Sequence, residues 1–257
     1  MQNFLSNFEL SLIQIITRSL PKIRGAGIIS NFLKKIYNRK ARDASYTRFE
    51  GLALFLPSQS EILFAPQLRD RLEVQFVKKT LKAGDTFVDL GANMGFYSLI
   101  SAKIVGKAGK ILSVEPDHDN FSFLSKNIEL NNFTQIIACQ CGISDCNEMI
   151  TFYKDTSNNE MGSFIPQKGT IEVKLECSSL LDILNKNNIQ KISFLKIDTE
   201  GFELKILSKF FKDANKALYP KFIIIESHKD SEVLKLLKQY NYNIILSNHD
   251  NHILTLL

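Results

Sequence analysis

The sequence predicts an α/β fold built on a mostly parallel sheet. Three observations carry that expectation. Short apolar runs alternate with amphipathic segments of helix length across most of the chain. The runs tend to end on an acid or a glycine (Asp89, Glu115, Gly142, Asp198, Glu226) just before the chain reverses. The stretch Thr86 to Leu99, TFVDLGANMGFYSL, reads as a buried strand that breaks into a glycine turn and reopens as a helix. A turn of that kind lets backbone amides approach a nucleotide at a helix N-terminus. Its Gly-x-x-x-Gly spacing differs from the Gly-x-Gly-x-x-Gly of a dinucleotide binder.

Taken in order, residues 4–20 and 26–39 read as helices separated by Pro21, Gly25 and Gly27. Arg48 to Leu56 alternates like a strand, Pro57 stops it, and Ile62 to Phe64 is its candidate partner. Arg71 to Lys82 is helical and Gly84 terminates it. After the glycine turn, Tyr97 to Val105 is a helix, Lys110 to Val114 a strand ending in Glu115-Pro116, and Asp119 to Asn131 a helix. Gln135 to Cys141 is a strand ending at Gly142. Two alternating runs, Met149–Tyr153 and Ile171–Leu175, flank a polar loop with Asn158, Asn159, Gly162 and Gly169, so 149–175 is expected as a hairpin insertion. The alternation resumes with strand Ile192–Ile197, helix Glu203–Phe211, strand Lys221–Ile225 and helix Ser231–Tyr240. The last two strands, Tyr242–Leu246 and His252–Leu257, have no helix between them and are expected as an antiparallel hairpin at one edge.

The charge is unevenly placed. Residues 1–48 carry nine Lys/Arg against Glu9 and Asp43, a net of +7, while the remainder carries a net of −2. The basic pI therefore belongs to an N-terminal helical arm, residues 1–48, and the nearly neutral body at 49–257 argues against nucleic acid as a partner. Two readings stand for the arm: a cap with a solvated basic face, or a surface for peripheral membrane contact. The four cysteines lack metal or redox spacing and are expected as free thiols. No apolar run is long enough to span a bilayer, and no signal-peptide pattern is read, so a cytoplasmic protein is expected.

The candidate site gathers at the strand ends. Glu115 is placed to accept hydrogen bonds from vicinal ribose hydroxyls, or to act as a helix cap. Asp198-Thr199-Glu200-Gly201 closes a strand that contains Lys196, and Glu226 and His228 follow the next strand.

The ordered segments VDLGANMGFYSL, VEP with FLSKNIELN, GISD and FLKIDTEGFE closely resemble the FkbM-type family of S-adenosylmethionine-dependent methyltransferases, from about Leu72 to Ser227. The resemblance implies a class I, Rossmann-like, mostly parallel seven-stranded sheet with an antiparallel C-terminal strand. It implies S-adenosyl-L-methionine as cofactor and methyl transfer to an oxygen, often a hydroxyl of a sugar, glycan or secondary metabolite. By motif, Asp89, Gly91, Ala92, Asn93 and Gly95 would hold the methionine portion and Glu115 the ribose. Gly142 and Ile143, with Ser144 and Asp145 nearby, would border the adenine. Asp198 would lie near the transferred methyl. Asp198, Glu200 and His228 are the catalytic candidates, since an alcohol acceptor must lose a proton and an imidazole titrates near neutrality. Two other readings stay open: a metal-assisted methyltransferase, and a cofactor-binding or membrane-surface module without turnover. No metal site is assigned, and the acceptor and the oligomeric state are not legible.

Overall fold

The computed structural model describes residues 45–56, 71–155, 162–163, 170–228, 231–248 and 250–257. The expected helices over 4–20 and 26–39, the basic arm, the candidate strand Ile62–Phe64 and most of the polar loop around Asn158 lie outside those residues.

A first hairpin joins β1 (Ser45–Phe49) to β2 (Leu52–Leu56). The run expected as one strand over Arg48–Leu56 therefore folds back on itself. It turns at Glu50 and Gly51, both at positive φ (49° and 78°), the combination that suits the twist of a two-residue hairpin loop. Next come α1 (Arg71–Thr80), β3 (Thr86–Leu90), α2 (Phe96–Val105), β4 (Lys110–Val114), α3 (His118–Asn131) and β5 (Ile136–Cys139). A small second sheet follows, from β6 (Gly142–Ser144), β7 (Glu148–Asp155), β8 (Gly162–Ser163) and β9 (Thr170–Ser179). The chain then forms α4 (Leu180–Lys186), β10 (Phe194–Ile197), α5 (Glu203–Asp213), β11 (Phe222–Glu226), α6 (Glu232–Gln239), β12 (Tyr242–Asn248) and β13 (Asn251–Leu256).

The main sheet has seven strands in the order β12-β13-β11-β10-β3-β4-β5. From β11 across to β5 all neighbours are parallel. The closing hairpin sits at the edge as expected, with β13 inserted antiparallel between β11 and β12. Numbered in chain order, these strands lie 3-2-1-4-5-7-6, so the order reverses between β3 and β10. That reversal opens a crevice at the carboxyl ends of the two strands.

Side-chain alternation explains why the sheet is covered on both faces. Val88, Leu90, Leu195 and Ile197 pack with α4, α5 and α6 residues such as Leu184, Leu207 and Leu237. Phe87 and Phe194 pack on the opposite face with Val77, Leu99 and Val105 from α1 and α2 and with Leu54 of β2. Asp89 and Lys196, two residues beyond Phe87 and Phe194, inherit the α2 face.

Two further elements depart from the sequence expectation. The strand expected to run from Gln135 to Gly142 stops at Cys139, and Gly142 opens β6 in the second sheet, parallel to β9. A Cβ at Gly142 would lie 2.3 Å from Cys177 Sγ, so glycine here serves the packing of β6 on β9. The sequence reading also passed over α4. Its signal was Ser179-x-x-Asp182: Asp182 N donates to Ser179 Oγ at 3.1 Å, and Ser179 Oγ donates to the Asp182 carboxylate at 2.7 Å.

Helix α3 fastens the first hairpin to the glycine turn. Asn127 Oδ1 accepts from Phe55 N at 2.6 Å, and Asn127 Nδ2 donates to Met94 O at 2.9 Å. One turn on, Asn131 takes up Ala53 N at 2.9 Å and Ala53 O at 2.7 Å. Two side chains thus satisfy an edge of β2 that would otherwise offer unpaired backbone groups. Asn127→Ala orphans both Phe55 N and Met94 O and should cost roughly 2 kcal/mol. Asn132→Gly, at a left-handed helix end with φ 53°, should be nearly neutral. Urea denaturation midpoints of the two variants check this, and equal midpoints would refute it.

Candidate active site at the strand ends

Three chain reversals build the site: the turn after β3, the segment after β4 and the turn after β10. The first is tied to its neighbour, because Gly91 N and Ala92 N both donate to Val114 O at 3.0 Å. Gly91 has φ 74°, and a Cβ on it would lie 1.9 Å from Asp198 O, so neither the conformation nor the space admits a side chain. Gly95 precedes α2 with no side-chain cap. Helix α2 therefore starts directly at the glycine turn, with the positive end of its dipole toward it.

Asp89 is fully buried under this turn. Ser98 Oγ of α2 donates to Asp89 Oδ2 at 2.6 Å, and Ser113 Oγ of β4 lies 2.7 Å from Ser98 Oγ. Among the described residues no hydrogen-bond donor reaches Asp89 Oδ1. Burial pushes the Asp89 carboxyl up, while Lys196 and Ser98 pull it back. Glu115 is also buried. Its Oε2 accepts from Asn93 N at 2.7 Å and its Oε1 from Asp117 N at 3.0 Å. Burial outweighs those two amides and lifts its pKa to about 7. The cap of α3 is Asp117, which accepts from Asp119 N and Asn120 N, so Glu115 is released from that duty.

The third reversal is Asp198-Thr199-Glu200-Gly201. Asp198 N donates to Leu90 O at 3.1 Å, which seats this turn beside the first. Thr199 N, Thr199 Oγ1 and Gly201 N all donate to Glu203 Oε1, at 2.7, 2.9 and 3.3 Å. Glu203 thus holds Glu200 at φ 55°, a left-handed conformation unusual for a glutamate. Burial, then the nearby Asp198, Glu226 and Glu203 carboxylates, raise the pKa of Glu200.

The structure therefore brings together Asp89, Gly91, Ala92, Asn93, Gly95, Glu115 and Asp198, with Glu200 at the rim. Gly142 and Ile143 lie beyond β5, whose Cys139 O accepts from Glu115 N at 3.1 Å. Ser144 Oγ donates to Glu148 Oε1 at 2.7 Å within the second sheet, and Asp145 pairs with Lys205 at 3.1 Å, which fastens that sheet to α5. The His228 side chain is 91% exposed, and its Nδ1 meets Asp250 Oδ1 at 3.2 Å rather than Asp198 or Glu200. His252 is buried, with its Nε2 donating to Ser227 O at 2.8 Å. Asp145, Cys146 and Glu148 converge like metal ligands, but Lys205 already pairs with both carboxylates, at 3.1 and 3.0 Å.

Two site residues escaped the sequence reading. Lys196 contacts Asp198 Oδ2 at 3.3 Å, and Glu203 caps the third turn. Their signal was position: a lysine two places before an acid shares its strand face, and a glutamate shortly after a turn can reach back to its amides.

The sheet order, the glycine turn after its first strand and the acids at the ends of the first, second and fourth strands define a class I, Rossmann-like methyltransferase fold. The sequence matches the Methyltransferase FkbM domain over residues 89–244, and the chain belongs to that family of methyltransferases. Among similar proteins, Methyltransferase 1 of Beauveria bassiana is 29% identical over 168 residues, covering 53% of this chain and 67% of its own. The hexuronic acid methyltransferase AglP of Haloferax volcanii is 26% identical over 193 residues, covering 71% of this chain and 74% of its own. A solved FkbM methyltransferase from Methylobacillus flagellatus superposes with a TM-score of 0.45 at 18% identity, over 76% of this chain and 54% of that one. Among the described residues no helix is long and apolar enough to cross a membrane.

The Glu115 pKa makes a prediction about stability. Its folded value, about 7, exceeds the ordinary 4.5, so between those pH values the folded state holds more proton than the unfolded one. Stability should therefore fall by roughly 3 kcal/mol as pH rises through that window and level off above it. Thermal melts of the wild type and Glu115→Gln across the window check this. The substitution should flatten the wild-type slope, and an unchanged slope would contradict the assignment.

Proposed function

We propose that this chain transfers a methyl group from S-adenosylmethionine to an oxygen of a small-molecule or glycan acceptor, a sugar hydroxyl in the first instance. The observation that carries the cofactor part is the meeting of the Asn93 amide and the buried Glu115 carboxylate at 2.7 Å. It joins the glycine turn to the acid of the next strand across the crevice. The residues suit this ligand. Asp89 Oδ1 is a buried acceptor with no donor among the described residues, and Gly91 leaves the backbone bare for close approach. The relation to a hexuronic acid methyltransferase supports a sugar acceptor.

When bound, S-adenosylmethionine supplies a methyl already activated on a sulfonium, which leaves positioning as the main task of the protein. Asp89, Gly91, Ala92, Asn93 and Gly95 hold the methionine portion. Glu115, once ionised, accepts hydrogen bonds from both ribose hydroxyls. Gly142 and Ile143 border the adenine, and Asp198 stands at the reacting end. The acceptor hydroxyl must give up its proton as its oxygen attacks. Glu200, raised by burial and neighbouring acids, is placed beside Asp198 to take that proton on a carboxylate oxygen. His228 is a second candidate, ranked lower because its exposed imidazole is engaged by Asp250.

Calorimetric titration with S-adenosylmethionine tests the cofactor reading. Affinity should rise with pH through about 7, because the ribose is bound by the ionised form of Glu115. Glu115→Ala should weaken binding by about thirtyfold, the equivalent of two lost charged hydrogen bonds partly offset by water. Wild-type affinity in a folded Glu115→Ala protein would remove Glu115 from the site. Incubation with uronic acids and neutral sugars, followed by mass spectrometry, tests the acceptor. An alkali-stable gain of one methyl indicates a hydroxyl acceptor, and an alkali-labile gain a carboxyl acceptor instead.

A further inference from the structure

Lys196 is a buried cation that neither the packing of the sheet nor the proposed reaction requires. Its side chain is only 10% exposed. It is the register partner of Asp89 on the adjacent parallel strand and stands two residues before Asp198. Its Nζ lies 3.3 Å from Asp198 Oδ2, 3.9 Å from Asp89 Oδ1 and 3.5 Å from Gly91 O, and 5.4 Å from the centroid of the Tyr97 ring. An ammonium withdrawn this far from water is costly unless its partners compensate, and an apolar side chain would fill the place more cheaply. Yet Asp89, Gly91 and Asp198 all belong to the cofactor-side strand ends and turns, and Tyr97 lies on the helix that those turns open.

We infer that Lys196 is a positioning residue of the cofactor site, holding Asp89 and Asp198 as a spaced pair of carboxylates on either side of one cation. The inference rests on the S-adenosylmethionine reading above. Two carboxylates around one ammonium leave one net negative charge at the ends of β3 and β10. S-adenosylmethionine carries one net positive charge, from a sulfonium and an ammonium against one carboxylate. The site and the ligand are therefore complementary in charge as well as shape. Without Lys196, the buried Asp89 would stand near the partly exposed Asp198 with no described cation between them, and a proton would be held at this spot. Asp89, already raised by burial and opposed chiefly by Lys196, would take it. Among the described residues, the other charged or titratable groups near this spot are Tyr97 of α2, Glu115 across Asn93, Glu226 of β11, Glu200 in the third turn and Glu203 of α5. None of them supplies a positive charge.

Binding of S-adenosylmethionine by wild type, Lys196→Met and Lys196→Arg, measured calorimetrically from slightly acidic to clearly alkaline pH, tests the inference. In Lys196→Met, affinity near neutral pH should fall at least about tenfold, the lower range for removing one partner of a buried charge pair. That loss should shrink as alkali strips the proton from Asp89. Lys196→Arg should bind within a few-fold of wild type with the wild-type pH profile. If Lys196→Met does not fold, Lys196→Gln keeps a polar side chain of similar length and removes the same charge. A neutral variant that binds like wild type overturns the inference, as does one that is weakened equally at every pH. A wild type that fails to bind S-adenosylmethionine overturns the cofactor reading itself, and the inference with it.

Discussion

Gly91 and Asp198 meet where β3 and β10 end side by side, so closely that a methyl group on Gly91 would lie 1.9 Å from the Asp198 carbonyl oxygen. The sheet order reverses at this point, and the connections from the two strands leave in opposite directions. Where the two strand ends meet, the resulting crevice is closed by backbone against backbone. Its upper edge is fixed by Asp198 N on Leu90 O and by the paired amides of Gly91 and Ala92 on Val114 O. These bonds consume backbone groups at three strand ends and leave acidic side chains as the chemistry facing inward.

Those acids are held against the preference of the fold. Burial raises Asp89, Glu115 and Glu200 above their ordinary range. Each is offset locally: Ser98 and Lys196 at Asp89, two amides at Glu115, and Lys196 at Glu200. Buried acids with raised pKa values gathered at one set of strand ends are a physical mark of a functional site. Asp117, not Glu115, caps α3, and the Glu115 carboxylate is held instead by the amides of Asn93 and Asp117.

Support for the site extends outward. Asn127 links the first hairpin to Met94, one residue before the glycine that opens α2. Lys205 ties Asp145 and Glu148, at the base of the second sheet, to the helix that follows the third turn. Neither tether touches the crevice. Both restrain a segment that borders it, and they work through side chains reaching across elements far apart in sequence.

Much of this was legible in the chain itself. Alternating apolar runs and amphipathic segments determine a doubly covered parallel sheet, because only one packing buries both patterns. Acids and glycines at the run ends mark where a ligand site is expected, and their order carries the family resemblance that the FkbM match bears out. Other features were decided only in three dimensions. The fold-back at Glu50-Gly51 was hidden because the two short strands share one alternation. Gly142 read as a strand end because its true partner, Cys177, is 35 residues further along the chain and belongs to another sheet. Lys196 read as an interior strand residue, and His228 as a base near a strand end. Register set the lysine against Asp89, while the last turn drew the histidine toward Asp250. Local pattern encodes which face a residue takes, but which charge it meets depends on the strand beside it, and that pairing exists only once the sheet has formed.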